Sequence, residues 1–142
     1  KIKKYVTDFA NPTTAGKDGV ILTPHLGAST EESEDNCAKM AVKQIRNYLE
    51  HGNITNAVNF PDCDMGYKGD NARIVLLHHN IPNMLGQFTR VLAEENLNIA
   101  DLANKSKGEF AYTMIDIDSE VPEGVTDELL KIEGVRRVRI IE

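Results

Sequence analysis

His25 stands in the run Thr23-Pro24-His25-Leu26-Gly27-Ala28-Ser29-Thr30, directly after the apolar stretch Gly19-Val20-Ile21-Leu22. An imidazole changes charge near neutral pH, so it can take a proton from a hydroxyl and return it. The end of an apolar strand is also where open α/β sheets bind ligands. His25 is therefore a candidate for proton transfer, and Gly27 a place where the backbone can come close to a ring. Taken alone, Pro24-His25 reads more simply as a strand-ending turn. A second polar group occurs at His78-His79-Asn80-Ile81-Pro82-Asn83. By residue type alone Asn80 reads as a turn residue or a helix cap, and His78 as a packed strand-end histidine. His79 points to the other side of the same strand and reads as surface. No third ligand accompanies the histidine pair at zinc spacing, so no metal is expected.

The elements that position these residues fall into three zones. In residues 1–52, Lys4-Tyr5-Val6-Thr7 and Gly19 to Thr23 read as strands, the second as one buried on both faces. A helix follows, with Ser29 and Glu32 in a capping-box pattern. Cys37, Ala38, Ala41, Val42, Ile45, Tyr48 and Leu49 recur at helical period as a buried face, and Gly52 closes the helix. At about 1.5 Å per residue it is roughly 30 Å long, which suits a helix crossing between domains. Residues 53–71, rich in Asn, Asp and Gly, read as a linker, with Ala57 to Phe60 able to dock. In residues 72–142 the pattern alternates: strands at 73–78, 99–106, 110–118 and 135–141, and helices at 84–97 and 127–132. The order βαββαβ predicts a ferredoxin-like α+β sandwich, an antiparallel sheet with helices on one face. Its uncovered face predicts self-association. Phe110, Tyr112 and Met114 share one strand face and read as core or dimer packing, whereas Arg136, Arg137 and Arg139 read as a solvated edge.

Composition narrows the function classes. The 142 residues carry a net charge of −6 and a pI near 5.2, which argue against a nucleic-acid partner and against electrostatic docking on anionic membranes. No apolar stretch approaches the ~20 residues of a bilayer span. Cys37 and Cys63 form neither a Cys-x-x-Cys pair nor a metal spacing. Cys37 reads as a buried inert thiol, and the expected compartment is the cytoplasm.

The run Thr23 to Glu32 resembles the end of the nucleotide-binding domain in D-isomer-specific 2-hydroxyacid dehydrogenases, and within them the branch that opens serine biosynthesis. Residues 72–142 are similar to an ACT domain, the regulatory module that follows the catalytic part in many of these enzymes. The resemblance implies the end of a Rossmann-like domain followed by an ACT domain, from an oxidoreductase using NAD. It implies His25 as the catalytic proton carrier and Gly27 beside the nicotinamide. The family's Glu that orients the histidine is Asn11 here, with Asp8 nearby. No Gly-x-Gly-x-x-Gly run occurs, and only 24 residues precede His25, so the chain is expected to be a piece of a longer enzyme, inactive on its own. In the family's ACT domains, L-serine binds between two modules, which implies His78, Asn80 and Asn98 as effector ligands. An asparagine amide supplies both a donor and an acceptor to a zwitterion. The family's Gly after Pro82 is Asn83, a residue that tolerates a left-handed backbone. The alternatives are a non-catalytic amino-acid-binding or dimerising module, with another ligand or none, and the tail of a dehydrogenase for a different 2-hydroxyacid.

Overall fold

The computed structural model describes residues 3–70 and 72–142. It divides into two compact units, Lys1–Val42 and Lys43–Glu142, the boundary falling inside a helix.

In the first unit, β1 (Tyr5–Thr7) and β2 (Val20–Leu22) pair in parallel, Tyr5 opposite Val20 and Thr7 opposite Leu22. Both are shorter than the sequence predicts. Ile21 is 45% exposed and Leu22 37%, so β2 is not buried on both faces. A ladder of three residues per strand offers no second layer to cover it. Helix α1 (Glu31–His51) begins one residue later than a Ser29 cap requires. Thr30 is the cap: its Oγ1 accepts from the Ser33 amide at 3.2 Å, and Glu31, Glu32 and Glu34 fill the positive first turn. No residue of α1 is buried. Cys37 is consequently exposed rather than an inert core thiol, because the apolar stripe of the helix's first half has no covering layer.

The second unit contains the expected βαββαβ order: β3 (Ala72–His79), α2 (Met84–Glu94), β4 (Ile99–Lys107), β5 (Phe110–Ile117), α3 (Val125–Lys131) and β6 (Val135–Ile141). The sheet is antiparallel with order β4-β5-β3-β6, the ferredoxin-like arrangement. Alternation along β3 and β5 sorts the core. Ile74, Leu76 and Ile115 face the helices, where Met84, Phe88 and Leu92 of α2 and Leu129 of α3 meet them. Helix α2 ends at Glu94 rather than Leu97. Asn96 takes a left-handed φ of 55°, and the Leu97 amide returns to the Leu92 carbonyl at 2.9 Å as Leu97 enters the core.

The other face of the sheet is not bare. Val75, Tyr112, Met114 and Ile141 pack against Cys63, Tyr48, Ile54 and Met65. Residues 53–66 therefore form a compact segment on the sheet and not an extended connection. Ile54 and Cys63 exchange backbone hydrogen bonds of 2.8 and 2.9 Å. Buried Asn53 ties the segment together: its amide donates to Asn47 Oδ1 and the Gly66 carbonyl and accepts from the Met65 amide. This explains why an antiparallel sheet with one helical layer need not wait for a partner to shield its second face.

One side chain joins the layers. Arg73, 1% exposed, makes a fork to Asp116 with Nε–Oδ1 2.6 Å and Nη2–Oδ2 2.8 Å. Its Nη1 donates to the His51 carbonyl at 2.8 Å and the Gly66 carbonyl at 3.0 Å. The end of α1 is further held by Tyr112, whose hydroxyl donates to the Gly52 carbonyl at 2.7 Å, and by Arg139, which donates to the Leu49 carbonyl at 3.0 Å. A helix C-terminus leaves carbonyls without partners and carries partial negative charge, so cationic donors answer both needs. Gly52 turns the chain with φ 74°, and a Cβ there would stand 2.8 Å from Val75 Cγ2.

Replacing Arg73 by Met is expected to cost about 3–5 kcal/mol, because Asp116 is left without its partner, and adding Asp116→Leu is expected to recover most of the loss. Urea denaturation of the single and double variants measures both. By the same assay Gly52→Ala is expected to cost about 1–3 kcal/mol, from left-handed strain and the Val75 contact together.

Candidate functional site

In the first unit His25 follows β2 and takes φ 54°, a left-handed conformation in which histidine is enriched among non-glycine residues. Its exposed ring lies edge-on to Phe9, with centroids 4.7 Å apart. No carboxylate holds it among the described residues. Asn11, at the place of the expected glutamate, is used elsewhere: its Oδ1 accepts from the amides of Thr13 and Thr14 at 3.0 and 3.1 Å, closing an Asx turn. Around Gly27 no atom lies within 4 Å of where a Cβ would stand.

In the second unit His78 is 2% exposed and faces the helical layer. Its ring meets Phe88 edge-on at 5.0 Å. Nδ1 lies 2.8 Å from the His79 carbonyl and Nε2 2.8 Å from Thr113 Oγ1. Thr113 Oγ1 in turn lies 2.9 Å from the side-chain amide of Asn104. A carbonyl only accepts, so Nδ1 carries the proton of the neutral ring and Nε2 accepts from Thr113. The chain ends at Asn104, whose Oδ1 lies 2.9 Å from the Thr113 hydroxyl. Burial lowers the His78 pKa, against opposing hydrogen bonds from the His79 backbone and Asn104. His78 is thus a neutral, partnered group at the end of β3, linked through Thr113 to the exposed strand β4.

Asn80 is exposed beside it and donates to the Gly108 carbonyl at 3.3 Å, while its backbone amide bonds Glu109. It braces the β4–β5 turn and does not cap α2. That position belongs to Asn83, with φ 66° and no side-chain capping bond, so asparagine does adopt the left-handed turn in glycine's place. His79 stacks on Phe110 at 5.1 Å and accepts from Arg136 at 3.1 Å.

Asn98 lies elsewhere. Its amide donates to Asp118 at 2.6 Å, next to the pairing of Ile99 with Ile117, whereas His78 pairs with Ala111. Six residues of β5 separate these two points, roughly 20 Å at strand rise. Within one chain His78 and Asn80 come together, and Asn98 does not join them. Sequence reading missed Thr113, Asn104 and the Arg73–Asp116 pair. The signal for the last was present: two opposite charges, each alone in an apolar run and each on the same strand face as Val75 and Met114.

No family model matches the chain. It is 32% identical over 126 residues to D-3-phosphoglycerate dehydrogenase of Escherichia coli K12, covering 87% of this chain and 30% of that protein. The chain is related to the C-terminal region of the D-3-phosphoglycerate dehydrogenases. D-3-phosphoglycerate dehydrogenase 1 of Saccharomyces cerevisiae is 36% identical over 104 residues, which are 70% of this chain and 22% of the yeast protein. The chain thus spans less than a third of the length of these curated relatives. Among solved structures it is similar to the ACT domain of GTP pyrophosphokinase from Chlorobium tepidum, with TM-score 0.44 and 22% identity over 49% of this chain and 95% of that one. The regulatory subunit of aspartate kinase from Thermus thermophilus aligns with TM-score 0.41 and 16% identity over 49% of this chain and 50% of that one. No helix among the described residues is long and apolar enough to cross a membrane.

The buried ring makes a pH prediction. With the His78 pKa lowered by folding, the unfolded chain binds the proton more readily. The contribution of neutral His78 is therefore fully present above the unfolded value of about 6.5 and is lost as pH falls below it toward the folded value. Urea midpoints at mildly alkaline and mildly acidic pH are expected to fall further for the native chain than for His78→Leu.

Proposed function

We propose that this chain is the C-terminal regulatory part of an NAD-dependent D-3-phosphoglycerate dehydrogenase, which oxidises 3-phosphoglycerate to 3-phosphohydroxypyruvate for serine biosynthesis. Its ferredoxin-like module acts as an ACT domain that binds L-serine where two copies meet. The observation that carries this reading is the similarity over 87% of the chain, through both units, to proteins of that name.

The separation of the polar groups supports the second part. A two-fold interface sets residue i of one copy against residue j of the other, and j against i. Copies whose sheets run antiparallel across the axis bring the His78 and Asn80 end of one against the Asn98 end of the other, twice. Asn80 and Asn98 offer amide donors to a carboxylate, and Asp118 beside Asn98 offers an oxygen to an ammonium. Feedback then follows if serine binds the slower state of the enzyme more tightly.

In the whole enzyme bound NAD would supply the hydride acceptor. His25 takes the hydroxyl proton on its imidazole, and Gly27 leaves the backbone open to the ring. An asparagine cannot stabilise the resulting imidazolium by charge, so the Asn11 turn leaves that task to a group other than the residue at this position.

Calorimetric titration of L-serine into the dimer is expected to give saturable heat, and Asn80→Ala or Asn98→Ala to weaken binding about tenfold or more. No heat and no thermal shift at millimolar serine, in a folded dimer, would sink the effector assignment. A thermal shift with a different amino acid would instead favour a ligand altered by Asn83.

A further inference from the structure

A cleft of about 310 Å³ opens on the second sheet face, between the last turns of α1, the segment after Gly52, and strands β3 and β6. Tyr48, Ile54, Phe60, Leu77 and Tyr112 form its apolar wall. Arg137 and Arg139 stand at its rim, two apart on β6 and therefore on one strand face. The Arg139 guanidinium lies 4.8 Å over the Tyr48 ring and donates to the Leu49 carbonyl. Arg137 is exposed and has no hydrogen-bond or ion-pair partner among the described residues. The ion pairs present assign carboxylates to Lys39, Arg46, His51, Arg73 and Lys131, and none to either rim arginine. In a chain of net charge −6, two adjacent guanidinium groups without a carboxylate, above an apolar wall, complement an anionic amphiphile.

We propose that this cleft binds a small apolar carboxylate, an aryl or branched-chain acid. The body of the ligand leaves water against Tyr48, Ile54, Phe60 and Leu77. The carboxylate meets the planar fork of Arg137, with Arg139 adding its charge. The volume lies at the lower end of ordinary ligand pockets. His78 faces the opposite side of the sheet, so this site is separate from the one assigned to serine and stands or falls without it.

Phenylacetate titrated into the full chain, followed by heteronuclear NMR, is expected to shift the amides of Thr55, Ala57 and Leu77 saturably. Phenylacetamide, the uncharged isostere, is expected to bind about tenfold more weakly. Arg137→Gln is expected to remove that difference, and Leu77→Trp to fill the cleft and abolish binding of both. Arg137 is exposed and unpartnered, so its variant keeps the test decisive if Leu77→Trp fails to fold. The assignment is overturned by any of three results: no saturable shift at millimolar phenylacetate, equal affinities of acid and amide, or acid binding unchanged in Arg137→Gln. It is also overturned if these amides shift with protein concentration alone, because a second copy then fills the cleft.

Discussion

The second unit depends on the Arg73 guanidinium. Burying a charge costs several kcal/mol unless it is paired and every donor is used. Arg73 meets that condition with the Asp116 fork and with carbonyls of His51, Gly66 and Met65. Those groups belong to three different pieces of chain, so satisfying one side chain fixes the position of all three. The end of α1, the segment 53–66 and the strand pair β3–β5 are joined by this requirement. The apolar contacts of Cys63, Tyr48 and Ile54 with the sheet then fill in around a connection already made by directional bonds.

That arrangement gives the sheet two unlike faces. The helical face is a conventional apolar core into which one polar chain enters, His78 to Thr113 to Asn104, ending at the edge strand β4. The second face is a mixed layer in which a helix C-terminus is held by Arg73, Arg139 and Tyr112. Burial raises the Tyr112 pKa far above the ordinary phenol range, which keeps its hydroxyl a donor to the Gly52 carbonyl at any physiological pH. Helix, segment and sheet share these bonds.

Much of the fold was legible. The βαββαβ order and the 3.6- and 2-residue periods of residues 72–142 follow from where apolar side chains recur, and those periods are local. The left-handed turn at Asn83 was legible through the resemblance, whose glycine it replaces, and from the tolerance of asparagine for that backbone. The docking of residues 53–66 was not, since Asn, Asp and Gly suit a flexible connection as well as a tight one. What decides between these is the buried Asn53 amide, whose partners lie up to twenty residues away. The exposure of Cys37 and of β2 was likewise missed, because amphipathic patterning states which face is apolar and not whether anything covers it.

For the site the division is similar. Sequence alone determined the candidate chemistry: an imidazole after an apolar strand at His25, and histidine and asparagine around the β3 end. Residue type sets what a side chain can donate, accept or titrate. Tertiary structure alone decided that His78 is a buried neutral ring, that Asn11 closes a turn rather than holding His25, and that Asn98 lies about 20 Å of strand from His78. It also decided that Arg73 has every partner it needs and that Arg137 has none among the described residues. Distance and burial depend on strand register and on which segments lie over a face, and no residue carries that information by itself.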